Sequence, residues 1–320
     1  MLRFPWDLIV FFSTAVVGFL LYVVFTRPRD AYKGYKKISK TFKDSSLSIA
    51  LGLKEDFHAI QDKFFSVLEV SKAIKTAGLE SSNLIIGVDF TASNEWQGRK
   101  SFHGRSLHHI FKNSSKKLNP YQTVIKSIGK TLEPFDEDNL IPVFGFGDVK
   151  TKDQRVFNFN SNDQPCKGLY SVLEAYNEVV RKVSLSGPTS FAPIIEKAID
   201  IVSKDRTYYI LVIIADGQVV EDQDLKSREA IVNASNYPIS ILVVGVGDGP
   251  WDRMHEYDEL LSERKFDNFQ FIEFNDIVAS AKYPDAAFAL HALMEIPDQY
   301  QAIKNLGLLR EISENKQNVT

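Results

Sequence analysis

The sequence predicts an α/β domain of the doubly wound kind, a mostly parallel sheet with helices on both faces. Three observations lead there. Apolar runs of strand length alternate with segments whose apolar residues recur every three or four positions, the pattern of parallel strands joined by helices. The runs are near-continuous, as in Tyr208-Tyr209-Ile210-Leu211-Val212-Ile213-Ile214-Ala215, which fits strands buried on both faces. Two of them stop at a carboxylate, Asp89 and Asp216, and open parallel sheets bind ligands at the carboxyl ends of their strands.

Composition narrows the class. With 320 residues, 44% of them hydrophobic, the chain can bury one core of ordinary size. Its net charge of -3 gives no field toward nucleic acid, so no nucleic-acid partner is expected. Cys166 is the only cysteine. That excludes a disulfide framework within the chain and any cysteine-based zinc site, a RING finger included.

The elements follow in order. Residues 8–25 are 18 positions without a charge. As a helix they would span about 27 Å, close to the hydrocarbon thickness of a bilayer. Trp6 and Tyr22 lie near the two ends, where amphipathic rings favour the interface. Phe25-Thr26-Arg27-Pro28 offers no small-residue cleavage pattern, so an anchor is expected rather than a signal peptide. Residues 27–43 carry seven basic side chains against Asp30 alone. The positive-inside rule then places a single-pass protein with its domain facing the cytosol. The same basic stretch could touch anionic lipids. The expected division is 1–25 as a transmembrane anchor, 26–54 as a basic juxtamembrane linker, 55–310 as the α/β domain and 311–320 as a polar tail.

Within the domain, residues 55–77 read as a helix, since Phe57, Ile60, Phe64, Val67, Leu68, Val70 and Ile74 fall mostly three and four apart. Residues 83–88 are the first core strand. Residues 120–132 form a helix with Asn119 as cap and Pro120 at its first position. Residues 140–146 are a strand ending in Gly145-Phe146-Gly147-Asp148. Residues 169–183 and 191–202 are helices, and 208–215 the second carboxylate-ended strand. Residues 224–234 are a helix, 239–245 a strand ending in Gly245-Val246-Gly247-Asp248-Gly249, and 269–274 the last strand. Residues 285–294 and 297–308 close the domain as helices.

The candidate site is built from three segments: Asp89-Phe90-Thr91-Ala92-Ser93, Gly187-Pro188-Thr189-Ser190 and Ala215-Asp216-Gly217. In an extended loop, Asp89, Thr91 and Ser93 point the same way. Two carboxylates and three hydroxyls, with no Cys or His, suit a hard cation such as Mg²⁺, with Mn²⁺ or Ca²⁺ as substitutes. Hydroxyls are weak ligands, so a site of this kind is underfilled. Water or an acidic residue of a partner protein can complete it, which suits recognition of a carboxylate more than chemistry. Glu95 and Trp96 lie just beyond the first segment, where they could line a partner surface or pack as an ordinary loop.

The spacing Asp-x-Thr-x-Ser, a distant Thr and a further Asp-Gly resembles the metal-ion-dependent adhesion site of von Willebrand factor A domains, a Rossmann-like fold. The resemblance implies that Thr91, Ser93 and Thr189 contact metal through hydroxyls, and Asp89 and Asp216 directly or through water. Val88-Asp89-Phe90-Thr91-Ala92-Ser93-Asn94, Ser106-Leu107-His108, Asn119-Pro120-Tyr121 and Gly187-Pro188-Thr189-Ser190-Phe191-Ala192-Pro193 are similar to the A domain of copines. Ala77-Gly78-Leu79-Glu80-Ser81-Ser82-Asn83-Leu84-Ile85 is closer to the plant ubiquitin ligases that join this domain to a RING. The resemblance spans roughly residues 60–309. It implies a protein-interaction module. No room precedes residue 60 for the paired C2 domains of copines, and one cysteine cannot build a RING.

Other motifs read more plainly. The glycine clusters at 145–147 and 245–249 complete neither G-x-G-x-x-G nor a Walker pattern and are expected to be tight turns. His108 and His109 are adjacent and point apart, so one satisfied core histidine is expected. No G-x-S-x-G, H-E-x-x-H or paired catalytic carboxylate is present. The expected function is therefore a membrane-anchored, metal-dependent interaction module and not an enzyme. The alternatives are a non-catalytic component of a ubiquitin-ligase pathway and a metal-dependent hydrolase.

Overall fold

The computed structural model describes residues 45–52, 63–111, 117–160, 162–261 and 263–310. Its centre is a six-stranded sheet. The strands are β1 (Asn83–Asp89), β3 (Val143–Phe146), β4 (Phe157–Asn158), β6 (Tyr209–Ala215), β7 (Ile239–Gly245) and β8 (Phe269–Glu273), in the order β4-β3-β1-β6-β7-β8. Every neighbouring pair is parallel except β3 with the edge strand β4. The sequence expectation of a mostly parallel, doubly wound sheet therefore holds.

The side-chain period of two sorts each strand between two cores. Leu84, Ile86 and Val88 of β1, Ile210, Val212 and Ile214 of β6, and Leu242 and Val244 of β7 belong to one. They share it with α2 (Val67–Thr76), α3 (Pro120–Leu132), α4 (Gly168–Val179), α8 (Phe274–Ser280), α9 (Pro284–Leu293) and α10 (Ile296–Asn305). The alternate residues Ile85, Leu211, Ile213, Ile241 and Val243 face the other. There they meet α5 (Ala192–Asp205), α6 (Asp224–Ala234) and α7 (Asp252–Leu260). Helices thus cover both faces, which is why these strands read as continuous apolar runs.

Local chemistry explains the boundaries. Asn119 caps α3 through a reciprocal box: its carboxamide oxygen accepts from the Gln122 amide at 2.8 Å, and Gln122 Oε1 accepts from the Asn119 amide at 2.9 Å. Among the described residues of the helix expected over 55–77, a helix runs from Val67, where the Ser66 hydroxyl takes the capping position and accepts from the Glu69 amide. Residues 55–62 of that expectation lie outside the described ones. The strand expected over 140–146 is split. Pro142 cannot donate to a ladder. Leu140–Ile141 (β2) instead pairs antiparallel with Cys166–Lys167 (β5), and β3 alone joins the main sheet. A short N-terminal helix, α1 (Ser46–Ala50), packs near α10, where Asp298 accepts from the Ser46 amide at 3.0 Å.

The membrane expectation is corrected. Among the described residues no helix is long and apolar enough to cross a membrane. The single-pass placement therefore has no support in the fold. Residues 8–25 and the basic stretch 27–43, on which it rested, lie outside the described residues, as does the 311–320 tail.

The two-core arrangement has a direct test. Leu211 is fully buried, whereas Leu260 is 67% exposed. Leu211→Ala should cost about 2–5 kcal/mol in urea unfolding, and Leu260→Ala should stay within about 0.5 kcal/mol. Equal effects would show that β6 is not central.

Candidate metal centre

Parallel pairing of β1 with β6 sets the site. Val88 is in register with Ile214, so Asp89, one residue further on, and Asp216, two residues further on, emerge at adjacent strand ends. Both are fully buried. Thr91 Oγ1 stands between the three segments. It lies 3.0 Å from Ser93 Oγ and donates to Asp216 Oδ1 at 3.4 Å, while Thr189 Oγ1 donates to it at 3.5 Å. All five expected ligands, Asp89, Thr91, Ser93, Thr189 and Asp216, thus come together from three segments spread over more than a hundred residues.

The electrostatics are those of a site short of positive charge. Asp89 Oδ1 accepts from the Thr91 amide at 2.8 Å, but its Oδ2 has no protein partner; nor has Asp216 Oδ2. Burial pushes the Asp89 carboxyl up to about 6. Asp216 is raised well above the carboxylate range, by burial first and then by the charge of Asp89. Two buried carboxylates side by side cannot both ionise cheaply. A divalent cation would cancel both charges and use both orphaned oxygens. The donors are all hard oxygens, so the residues present fit Mg²⁺. Among the described residues no group of three or more His, Cys, Asp or Glu could hold a metal; this cluster offers two carboxylates and three hydroxyls.

A second set of residues, not foreseen as part of the site, fixes the first. His108 lies between the rings of Phe90 and Tyr121, at 4.7 and 4.2 Å. Burial holds its pKa down at about 3, so it is neutral. Its Nε2 faces the carbonyl oxygen of Asp89 at 2.9 Å. A carbonyl only accepts, so the proton sits on Nε2. Nδ1 then accepts from Tyr176 Oη at 2.8 Å, and Tyr176 Oη in turn accepts from Asn119 Nδ2 at 3.1 Å. The Asp89 backbone is thereby tied to the caps and cores of α3 and α4. Asn94 adds a second tie: its Nδ2 donates to the Thr91 carbonyl at 3.1 Å and its Oδ1 accepts from Tyr121 Oη at 2.8 Å.

The loops are locked to one another as well. Thr91 bridges to Ser186, and the Ala92 amide donates to the Ser186 carbonyl at 2.6 Å, which brings the Thr189 loop alongside. Asp248 accepts from the amides of Lys100 and Ser101 at 2.8 and 2.9 Å, closing the loop after β7 onto the loop after β1. Gly147 has φ +81, and a Cβ there would come within 2.5 Å of Thr91 Cγ2. The glycine cluster read as a turn is therefore also a contact with the site. Glu95 and Trp96 are exposed beside it, Trp96 by 49%.

The copine family model matches residues 106–312. The E3 ubiquitin-protein ligases RGLG4 and RGLG5 of Arabidopsis thaliana are 50% and 52% identical over 285 and 271 residues. Those alignments cover 83% and 80% of this chain and 70% and 62% of the relatives. Copine family protein 2 of Caenorhabditis elegans is 46% identical over 287 residues, 89% of this chain but only 4% of its own length. This chain belongs to the copine family. Among solved structures, manganese-loaded Plasmodium vivax TRAP protein is 14% identical with a TM-score of 0.39, over 62% of this chain and 71% of that one. The von Willebrand factor type A protein from Catenulispora acidiphila is 13% identical with a TM-score of 0.41, over 66% and 43%. At those scores the likeness carries no weight.

Two outcomes follow from the geometry. In chelator at about pH 8, Asp216→Asn should stabilise the domain by roughly 1 kcal/mol or more, because it removes one of two repelling buried charges. His108→Phe keeps the ring stack but strands the Tyr176 hydroxyl proton, to whose oxygen Asn119 still donates, and takes from the Asp89 carbonyl its 2.9 Å donor, leaving only Asn94 Nδ2 at 3.4 Å. It should cost about 1–3 kcal/mol. Urea unfolding measures both; a destabilising Asp216→Asn would contradict the charge argument.

Proposed function

We propose that this chain is a protein-interaction module in which Asp89, Thr91, Ser93, Thr189 and Asp216 hold a divalent cation, Mg²⁺ foremost. The cation, when bound, supplies an electrophilic centre for a carboxylate. The observation that carries this reading is the pair of buried carboxylates, each with an oxygen that no protein group satisfies. Glu95 and Trp96, exposed just beyond Ser93, are the side chains proposed to meet the partner.

Recruitment is favoured over hydrolysis by what surrounds the cluster. Hydrolysis needs a base within hydrogen-bond reach of a water or substrate. His108 is the histidine bonded to a ligand residue, and both its nitrogens are already engaged. Its neutral imidazole faces a backbone carbonyl rather than the open side. The three hydroxyls bond to one another and, through Thr91, to Asp216, and none of these bonds is to a histidine or lysine that would activate a nucleophile.

Two of the relatives favour a second, compatible reading, in which the acidic partner belongs to a ubiquitin-ligase pathway. RGLG4 and RGLG5 are named as E3 ubiquitin-protein ligases. This sequence has one cysteine, whereas two zinc sites of the RING kind would need several thiolates. The role proposed here is recognition without transfer.

Two measurements test these readings. Mg²⁺ at a hundred times its Kd should stabilise the native chain by about 2.7 kcal/mol, a rise of roughly 5–10 °C in Tm for a domain of this size. EDTA should reverse it, and Asp89→Ala and Asp216→Ala should abolish it. An equal response in the wild type and both variants would refute the assigned cluster. In a reconstituted reaction with ubiquitin, activating and conjugating enzymes, the purified chain should show no autoubiquitination. Transfer that persists after removal of co-purified ligases would overturn the non-catalytic role.

A further inference from the structure

We propose that Gln97 and Asn275 are positioning residues that set the width of the strand-end cluster, and with it the selectivity between Mg²⁺ and the larger Ca²⁺. This rests on the reading of the cluster as a cation site.

The loop after β7 backs Asp216. The Val246 amide donates to the Ala215 carbonyl at 2.9 Å, which extends the β6–β7 pairing up to the residue before the carboxylate. Gly247 then packs on the Asp216 backbone. A Cβ at Gly247 would overlap the Asp216 carbonyl oxygen and come within 2.8 Å of the carbonyl carbon. Such a contact holds Asp216 only as firmly as the loop itself is held. Two carboxamides from different elements hold it. Asn275, in the first turn of α8, donates from Nδ2 to the Val246 and Gly247 carbonyls at 3.1 and 3.0 Å. Gln97 donates from Nε2 to the Gly249 carbonyl at 2.9 Å.

Gln97 belongs to the loop after β1, which carries three of the five cluster residues. Its backbone amide donates to the Ser93 carbonyl at 2.9 Å. Its side chain passes Gly217, where a Cβ would lie 3.6 Å from Nε2, and Gly247, where a Cβ would lie 3.1 Å from its own Cβ. One residue therefore spans from the Ser93 side of the cluster to the loop behind Asp216. The carboxamide nitrogens of Gln97 and Asn275 are spent on backbone carbonyls, so both act through the loop.

The gap between the two sides decides which cation fits. Mg²⁺ needs oxygens at about 2.0–2.1 Å in a near-octahedral array, whereas Ca²⁺ accepts about 2.3–2.6 Å and irregular geometry. Asp89 and Asp216 repel each other across the cluster. A loosened loop lets them move apart and widens the site toward Ca²⁺. Residues that orient ligands without touching the metal typically change its affinity by about 10–100-fold.

The test uses the purified full chain, with Mg²⁺ and Ca²⁺ binding measured by calorimetry and stability by urea unfolding. Gly247→Ala forces two backbones apart and risks the fold. The variants are therefore Gln97→Met and Asn275→Leu, which nearly keep the side-chain volume and remove the donor. Val202→Ala is the control. It opens the buried core at the end of α5 far from Thr189 and lowers stability without touching the loops. Gln97→Met and Asn275→Leu should each raise the Mg²⁺ Kd at least roughly tenfold. Their Ca²⁺ Kd should stay within about threefold of the wild type. Val202→Ala should leave both constants unchanged. Equal weakening of the two cations, a larger loss of Ca²⁺, or no change in either would overturn the selectivity role and leave the cation reading intact. So would a shift of the same size in Val202→Ala. Absence of Mg²⁺ binding in the wild type, or binding that survives Asp216→Ala, would overturn the cation reading and the positioning role with it.

Discussion

Two carboxylates held side by side away from water oppose folding, and this constraint organises the strand-end edge of the molecule. Parallel pairing of β1 with β6 is strong and deep in the core, and its register delivers Asp89 and Asp216 to the same point. The sheet thus imposes a juxtaposition that the side chains would avoid on their own. Partial relief comes from the Thr91 amide and hydroxyl. It leaves one oxygen of each carboxylate without a partner, and a buried acceptor left unmade costs about 1–3 kcal/mol. The large core on both faces tolerates that cost. A cation would turn the same arrangement from a defect into a binding site.

The supporting shell keeps the arrangement from relaxing. Were the loop after β1 free, Asp89 could swing outward and solvate its charge. His108 prevents this by holding the Asp89 carbonyl, and it is itself fixed by two aromatic faces and the Tyr176 hydroxyl. A neutral histidine is required for this role. Both its nitrogens are committed, one as donor and one as acceptor, and a protonated ring would lose the acceptor. Gly147 and the Asp248 bonds to the loop after β1 close the remaining sides. Rigidity of this kind suits recognition, since a preformed site loses less freedom on binding.

Much of this was legible in the sequence, and the exceptions have physical causes. Helices with strong caps were readable to the residue: Asn119 and Pro120 fix the start of α3. The long strands were readable because burial on both faces demands unbroken apolar runs. The two-residue strands β2, β4 and β5 carry no periodicity to detect. The helix α7 was missed because Asp252–Leu260 is mostly charged, with only Met254 and Tyr257 buried. The meeting of Asp89 with Asp216 was legible because both close strand-length apolar runs, whereas Thr189 lies at no strand end and was reached only through the spacing of the resemblance. The roles of His108, Tyr176 and Asn94 were not legible, because a buried polar residue reveals its partner only when distant segments meet. The membrane anchor was inferred from composition alone, and no described helix supports it.

The central claim is that the strand-end cluster is a cation site, and crystals grown with Mn²⁺ test it most directly. The account predicts one anomalous peak among Asp89, Thr91, Ser93, Thr189 and Asp216, at contact distances of about 2.0–2.3 Å from their oxygens. No peak at this cluster in Mn²⁺-saturated crystals, or a peak held by other residues while Asp89 and Asp216 stay unliganded, would contradict it.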